Sequence, residues 1–173
     1  MPHIVREAYN PAMERHLISK RLFLAAAGSG ALFRVLPQAQ RTDRGPALEP
    51  NLVKEFVSAA HAKLERTEEM LKQQPSLLNA TWDWGGGDFE TGLGGASHMG
   101  NREIAQLLIG KGARMDIFAA AMLGRLEIVH GMCEAFPGIH TSLGPHGITL
   151  LTHARKGGEP ALEVAKYLES LSK

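Results

Sequence analysis

The feature that most constrains this chain is a pattern that recurs four times after residue 51: a stretch of small residues, a tight turn, then a longer stretch with apolar residues at helical spacing. The second copy is the clearest. Thr91-Gly92-Leu93-Gly94-Gly95-Ala96-Ser97-His98-Met99-Gly100 leads into Asn101-Arg102-Glu103-Ile104-Ala105-Gln106-Leu107-Leu108 and closes on Gly110-Lys111-Gly112-Ala113. The third runs from Ile117 to Gly124 and on through Arg125-Leu126-Glu127-Ile128-Val129-His130-Gly131-Met132. The first couples Phe56–Ala62 to Leu64–Leu71, and the fourth couples Ile148–Gly157 to Leu162–Leu168 with Gly158, Glu159 and Pro160 as extra turn residues. The turn positions Ala62, Gly100, Gly124 and Gly157 are thus 38, 24 and 33 residues apart. Apolar residues three and four apart form one face of a helix. No single copy can bury that face alone, so the copies must stack.

The second copy is similar to the ankyrin consensus Thr-Pro-Leu-His-x-Ala-Ala-x-x-Gly, a Glu-Ile-Val helix with Leu-Leu, and a closing Gly-Ala. The resemblance implies an all-α solenoid of about four helix-turn-helix repeats over 52–173, divided near 52–84, 85–114, 115–144 and 145–173. Ala59, Ala96, Ala121 and Ala154 would let the first helices pack closely. Ile104, Leu107 and Leu108, with Ile128, Val129 and Met132, would fill a shared core, and Gly100, Gly124 and Gly157 would take the left-handed conformation that ends a helix. His61 and His153 would hydrogen-bond neighbouring turns, as the consensus His does.

Composition agrees with a helical fold. Aromatics are only 6% of the residues, a poor match to a β-sandwich. Nineteen Lys plus Arg against eighteen Asp plus Glu give a formal charge of +1, which offers no field to gather nucleic acid. The single cysteine, Cys133, excludes an internal disulfide and a cysteine zinc cage.

Residues 1–40 form a different kind of sequence. Ser19-Lys20-Arg21-Leu22-Phe23-Leu24 resembles a twin-arginine export signal, with Lys20 in place of the first Arg, and the apolar run ends near Leu36-Pro37. The expectation is an exported, periplasmic protein, with a cytoplasmic leader as the alternative. The run is too short and too interrupted for a membrane span, and no integral membrane segment is expected. Residues 41–51 read as a linker.

The repeat rule breaks in three places. Asn79–Glu90 holds both tryptophans and the run Gly85-Gly86-Gly87, and reads as a long finger between the first two repeats. Trp82, Asp83, Trp84, Asp88 and Phe89, with the helical His98 and Met99, form the candidate partner-binding set, because tryptophan is enriched at interface hot spots. The 24-residue spacing leaves almost no second finger, with Asp116 capping the next helix directly. Phe136–Gly147 is a third loop carrying His140 and His146, two histidines that alone are too few for a stable zinc site.

No catalytic constellation assembles. Gly95–Gly100 has phosphate-loop spacing, but Asn101-Arg102 stand where Lys and a hydroxyl residue should be. Gly28-Ser29-Gly30 lacks the frame of a nucleophile elbow. Ser97 and His98 are adjacent on a helix and do not face each other. Glu65, Glu103, Glu127 and Glu163 recur at helix starts, where the helix dipole favours them. The expected function is a non-catalytic protein-binding module without metal or cofactor, gripping a protein partner with its concave face and fingers. The alternatives are small-ligand or metal binding at the irregular fingers, which would join the tryptophans to His98, His140 or His146 in one pocket, and a structural subunit of a larger complex.

Overall fold

In the computed structural model, residues 45–171 are described. The export-signal reading of 1–40 and the start of the linker lie outside the described residues. Eight α-helices follow in sequence among the described residues. They are α1 (Pro50–Ala60), α2 (Leu64–Gln73), α3 (Gly92–Met99), α4 (Arg102–Gly110), α5 (Ile117–Met122), α6 (Leu126–Ala135), α7 (Leu150–Lys156) and α8 (Leu162–Leu171). None is long and apolar enough to cross a membrane.

The first helix of each pair packs on the second, and the first members α1, α3, α5 and α7 pack on one another in order. Ala59, Ala60, Ala96, Ala119, Ala120, Ala121 and Ala154 are all buried along that stack, so their small side chains set the close approach. Two apolar clusters result. One joins Phe56, Met70, Leu77, Leu93, Ile104 and Leu108, and the other Val129, Leu150, Val164 and Leu168. Leu107 and Met132 are only half-buried and Ile128 is exposed, so the third helix pair buries less of its second helix than its pattern suggested.

Helix ends are capped by side chains. Thr91, Asn101, Asp116 and Thr149 accept bonds from the backbone N–H groups of Gly94, Ile104, Ala119 and Thr152, satisfying donors that a first turn leaves open. Gly100 and Gly124 are left-handed, at φ 76° and 73°. Gly157 is not: its φ is −67°, and the positive φ falls on Gly158. Gly157 is required for another reason, since a Cβ there would overlap the Met122 carbonyl. Arg102 ties three pairs together, donating to the carbonyls of Leu123 at 3.1 Å, Met122 at 3.1 Å and Gly157 at 3.3 Å.

The finger departs from a purely helical chain. Strands β1 (Thr81–Asp83) and β2 (Phe89–Thr91) pair antiparallel, with Trp82 opposite Glu90. The three glycines make the turn, all at positive φ, and Asp83 Oδ1 accepts the N–H groups of Gly85 at 2.8 Å and Gly87 at 3.2 Å. The triple glycine thus builds a tight hairpin end instead of an extended loop.

Candidate metal centre

Residues opposite one another on an antiparallel ribbon share a face, so Glu90 points the same way as Trp82, inward to the first helix pair. Its side chain is fully buried. A buried carboxylate demands partners, and three histidines from three other segments supply them. His61 stands just past the end of α1, with Nε2 3.3 Å from Glu90 Oε2. His98 lies on the last turn of α3, with Nε2 3.0 Å from Oε1. His146 comes from the third loop, with Nε2 3.4 Å from Oε2. His61 and His98 approach each other at 3.1 Å, Nε2 to Nε2. One ligand atom from each of these four residues lies within 4.8 Å of the others.

The far side of the cluster fixes the orientation of the rings. His61 Nδ1 is 2.8 Å from the Val57 carbonyl and His146 Nδ1 is 2.7 Å from Asp88 Oδ2. A carbonyl and a carboxylate can only accept, so both Nδ1 atoms carry the proton, which leaves each Nε2 facing inward as the atom that would bind a metal when it carries no proton. Asp88 grips His146 twice, since its Oδ1 also accepts the His146 backbone N–H at 2.9 Å. His146 needs that grip. It is the one non-glycine residue with positive φ among the described residues, at 60°, and such strain persists where surrounding structure holds it. Trp84 completes the ring of contacts, donating from Nε1 to Glu90 Oε2 at 2.8 Å.

Electrostatics follow from this crowding. Burial pushes the Glu90 carboxyl upward, but the close ring nitrogens of His61 and His98 and the N–H of Trp84 outweigh it and hold the group well below the ordinary carboxylate range. His61 is raised, chiefly by its bond to Glu90, against the opposing effect of burial. Although His98 Nε2 is only 3.0 Å from Glu90 Oε1, it lies off the line that a hydrogen bond needs, and Oε1 is a buried oxygen without a hydrogen bond. The backbone N–H of His146 is the main cause of a lowered Asp88.

Space for the cluster is made by glycine. A Cβ on Gly95 would stand 2.7 Å from the His61 ring, and one on Gly94 would stand 3.3 Å from Glu90 Cγ. Each glycine in a helix costs about 0.5–1 kcal/mol relative to alanine, and α3 carries three, at 92, 94 and 95.

Of the residues expected to bind a partner, Trp84, Asp88 and His98 come together here. Trp84 is 37% exposed, its ring 6.2 Å from that of His61 and 6.1 Å from that of His146. Trp82 is half-buried beneath Lys54, whose Nζ lies 5.6 Å from the ring centre, and Asp83 is spent on the glycine turn. Phe89 and Met99 are exposed, at 61% and 49%. His140 is not part of the cluster. His61 and His153 bond carbonyls of their own helices, Val57 and Thr149, four residues back, which corrects the expectation of bonds to neighbouring turns. Glu90 and His61 were the members of the site that sequence reasoning missed.

No protein-family model matches this chain, and no curated protein matches it.

Proposed function

We propose that this chain is a metal-binding repeat protein of the ankyrin type, in which His61, Glu90, His98 and His146 hold one divalent transition metal, zinc in the first instance. The observation that carries this reading is the inward convergence of three imidazole nitrogens on one buried carboxylate, with two of the rings locked from behind. Four donors about 2.0–2.1 Å from a zinc ion at tetrahedral angles lie about 3.3 Å from one another; the contact of each histidine with one or other Glu90 oxygen, and that between His61 and His98, fall at 3.0 to 3.4 Å, and all four donors lie within 4.8 Å of one another. In the metal-free protein the Trp84 indole and a proton on His61 answer the Glu90 carboxylate, and a metal would displace that proton. The contacts of His61 Nδ1 with a carbonyl and of His146 Nδ1 with a carboxylate are those that orient histidine ligands in metal sites. Four ordered helix pairs, left-handed Gly100 and Gly124, and the Thr91 cap support the ankyrin-type scaffold.

On this reading the metal is a staple. It joins the end of α1, the finger, α3 and the third loop, segments separated by 29, 8 and 48 positions along the chain. Such a site binds tightly because folding, not local sequence, brings its ligands together. Protein binding at the finger is a second reading, favoured by the exposure of Phe89 and Met99.

The test uses the full chain, stripped with a chelator and titrated with zinc by calorimetry. One equivalent of zinc should bind and remain through gel filtration. With free zinc at about 100 times its dissociation constant the fold gains about 2.7 kcal/mol, which raises the melting temperature by roughly 5–10 °C for a domain of this size. If the protein retains no zinc and its melting curve is unmoved, the reading is wrong.

A further inference from the structure

Resting on the metal reading above, we infer that the centre keeps an exchangeable coordination position on its solvent side, where it takes a small monoanionic oxygen ligand of the carboxylate or hydroxamate class. Three observations lead there.

The first is the donor set. Structural zinc sites are closed mostly by cysteine thiolates, whereas zinc sites that take water or substrate use histidine and carboxylate ligands and can expand to five, so beside four protein donors the exchangeable position is a fifth. Here the donors are three imidazoles and one carboxylate, and the one cysteine, Cys133, packs against the second apolar cluster. Imidazole and carboxylate also suit metals that prefer five or six ligands, for which four protein atoms are too few.

The second is the gradient of exposure across the cluster. Glu90 is 0% and His98 10% exposed, while His61 is 21% and His146 34% exposed. One side of the centre is therefore sealed by α3 and the base of the finger, and the other side faces outward between His61 and His146. The indole of Trp84 stands beside that opening, about equally far from both rings. Its one donor, Nε1–H, is already committed to Glu90, so it offers a flat wall and no competing ligand. The hairpin turn that carries it is open as well, since nothing lies within 4 Å of where a Cβ would stand on Gly85, Gly86 or Gly87.

The third is charge. A divalent ion with Glu90 as the only anionic ligand keeps one net positive charge, which favours an anion in the remaining position. Asp88 and Asp83 stand nearby on the hairpin, Asp88 with both oxygens on His146 and Asp83 holding the turn through Oδ1. Their negative charges disfavour a dianion such as phosphate over a monoanion.

The experiment loads the metal-free full chain with one equivalent of cobalt(II) and records its visible spectrum while acetohydroxamate, and separately inorganic phosphate, is added. Cobalt bands should appear on loading. Acetohydroxamate should then shift them in a saturable way, with the cobalt still retained after desalting, and phosphate should need a higher concentration for any comparable shift. Trp84→Ala, compared at full cobalt occupancy, should change the concentration at which hydroxamate saturates, because it removes the wall of the opening. Trp84→Phe should restore the wild-type value while lacking the bond to Glu90. Cobalt bands that appear but do not respond to hydroxamate overturn the exchangeable position and leave the metal centre standing. If no bands appear at all, the metal reading itself fails. A response to phosphate at the lower concentration overturns the ligand class.

Discussion

His61 and His153 make the same local bond and reach opposite fates. Each ring turns back on its helix and gives Nδ1 to the carbonyl four residues earlier, at 2.8 Å and 2.9 Å. Each lies against a glycine of another segment, Gly95 for His61 and Gly144 for His153. What stands beyond the ring differs. His61 Nε2 meets the buried carboxylate of Glu90, and its pKa rises. His153 meets the ring of Phe118, 4.9 Å away, its Nε2 has no hydrogen bond, and burial lowers its pKa. The repeat pattern assigns these two histidines equal weight. The lesson is that a histidine becomes a candidate ligand through the residue brought to its far nitrogen, here by a hairpin that the fourth helix pair does not have.

The sharpest way to break this comparison is to remove the carboxylate. Glu90→Gln keeps the shape and loses the charge, and it should weaken zinc binding by more than the roughly 10–100-fold typical of residues that merely support ligands, as measured by competition with a colorimetric chelator. Unchanged affinity would reduce the cluster around Glu90 to an ordinary buried ion pair.

A smaller effect should follow at Gly95. Alanine there gains about 0.5–1 kcal/mol of helix propensity, but its Cβ falls 2.7 Å from the His61 ring and must displace it. Zinc affinity should drop by roughly 10-fold, the lower end of the range for supporting positions. Gly110→Ala is the control. It lies at the end of α4 with nothing within 4 Å, so it should add the propensity gain and leave zinc binding as it was. Equal zinc affinity in the two variants would show that the packing of Gly95 against His61 does not position the ligand.

The smallest effect belongs to His153. His153→Gln should leave zinc affinity within about twofold, because the His153 ring bonds the Thr149 carbonyl, packs on Phe118 and is not one of the four ligands. Its signature is in pH. The folded pKa of His153 is lowered from the ordinary value of 6.5, so the unfolded chain takes up the proton first, and the stability present above that value is lost as pH falls below it. His61 has the opposite sign in the metal-free protein. Its folded pKa is raised from the same ordinary value of 6.5, so its contribution is present below 6.5 and is lost as pH rises through the folded value. Urea unfolding of metal-free wild type and His153→Gln at several pH values should show the difference between them changing below pH 6.5 and flat above it. A difference independent of pH would mean that His153 is not held neutral by burial.

Much of the site was half-legible. Trp84 and Asp88 stood out because they fall where the repeat pattern breaks, whereas His98 lies on the helix that follows that break, and the break does mark the cluster. A further signal lies in α3, which carries Gly92, Gly94 and Gly95 where the ankyrin consensus that this copy resembles has Pro, His and a free position. Three glycines in eight helical residues are costly, and their tolerance is a sign that larger groups press on that face. Phe56, Glu90 and His61 are those groups. Glu90 itself gave no warning, since a Glu in a polar finger is ordinarily solvated.

What the sequence alone determined is the series of helix pairs, because apolar periodicity, caps and turn glycines act over a few residues and leave local marks. What only the tertiary structure decided is which polar groups meet. His61, Glu90, His98 and His146 have no fixed spacing, and their meeting depends on the two-residue alternation of a short hairpin, on the close stacking of α1 and α3, and on one strained residue held by Asp88. Those are consequences of packing between segments that are far apart in the chain, and no local pattern encodes them.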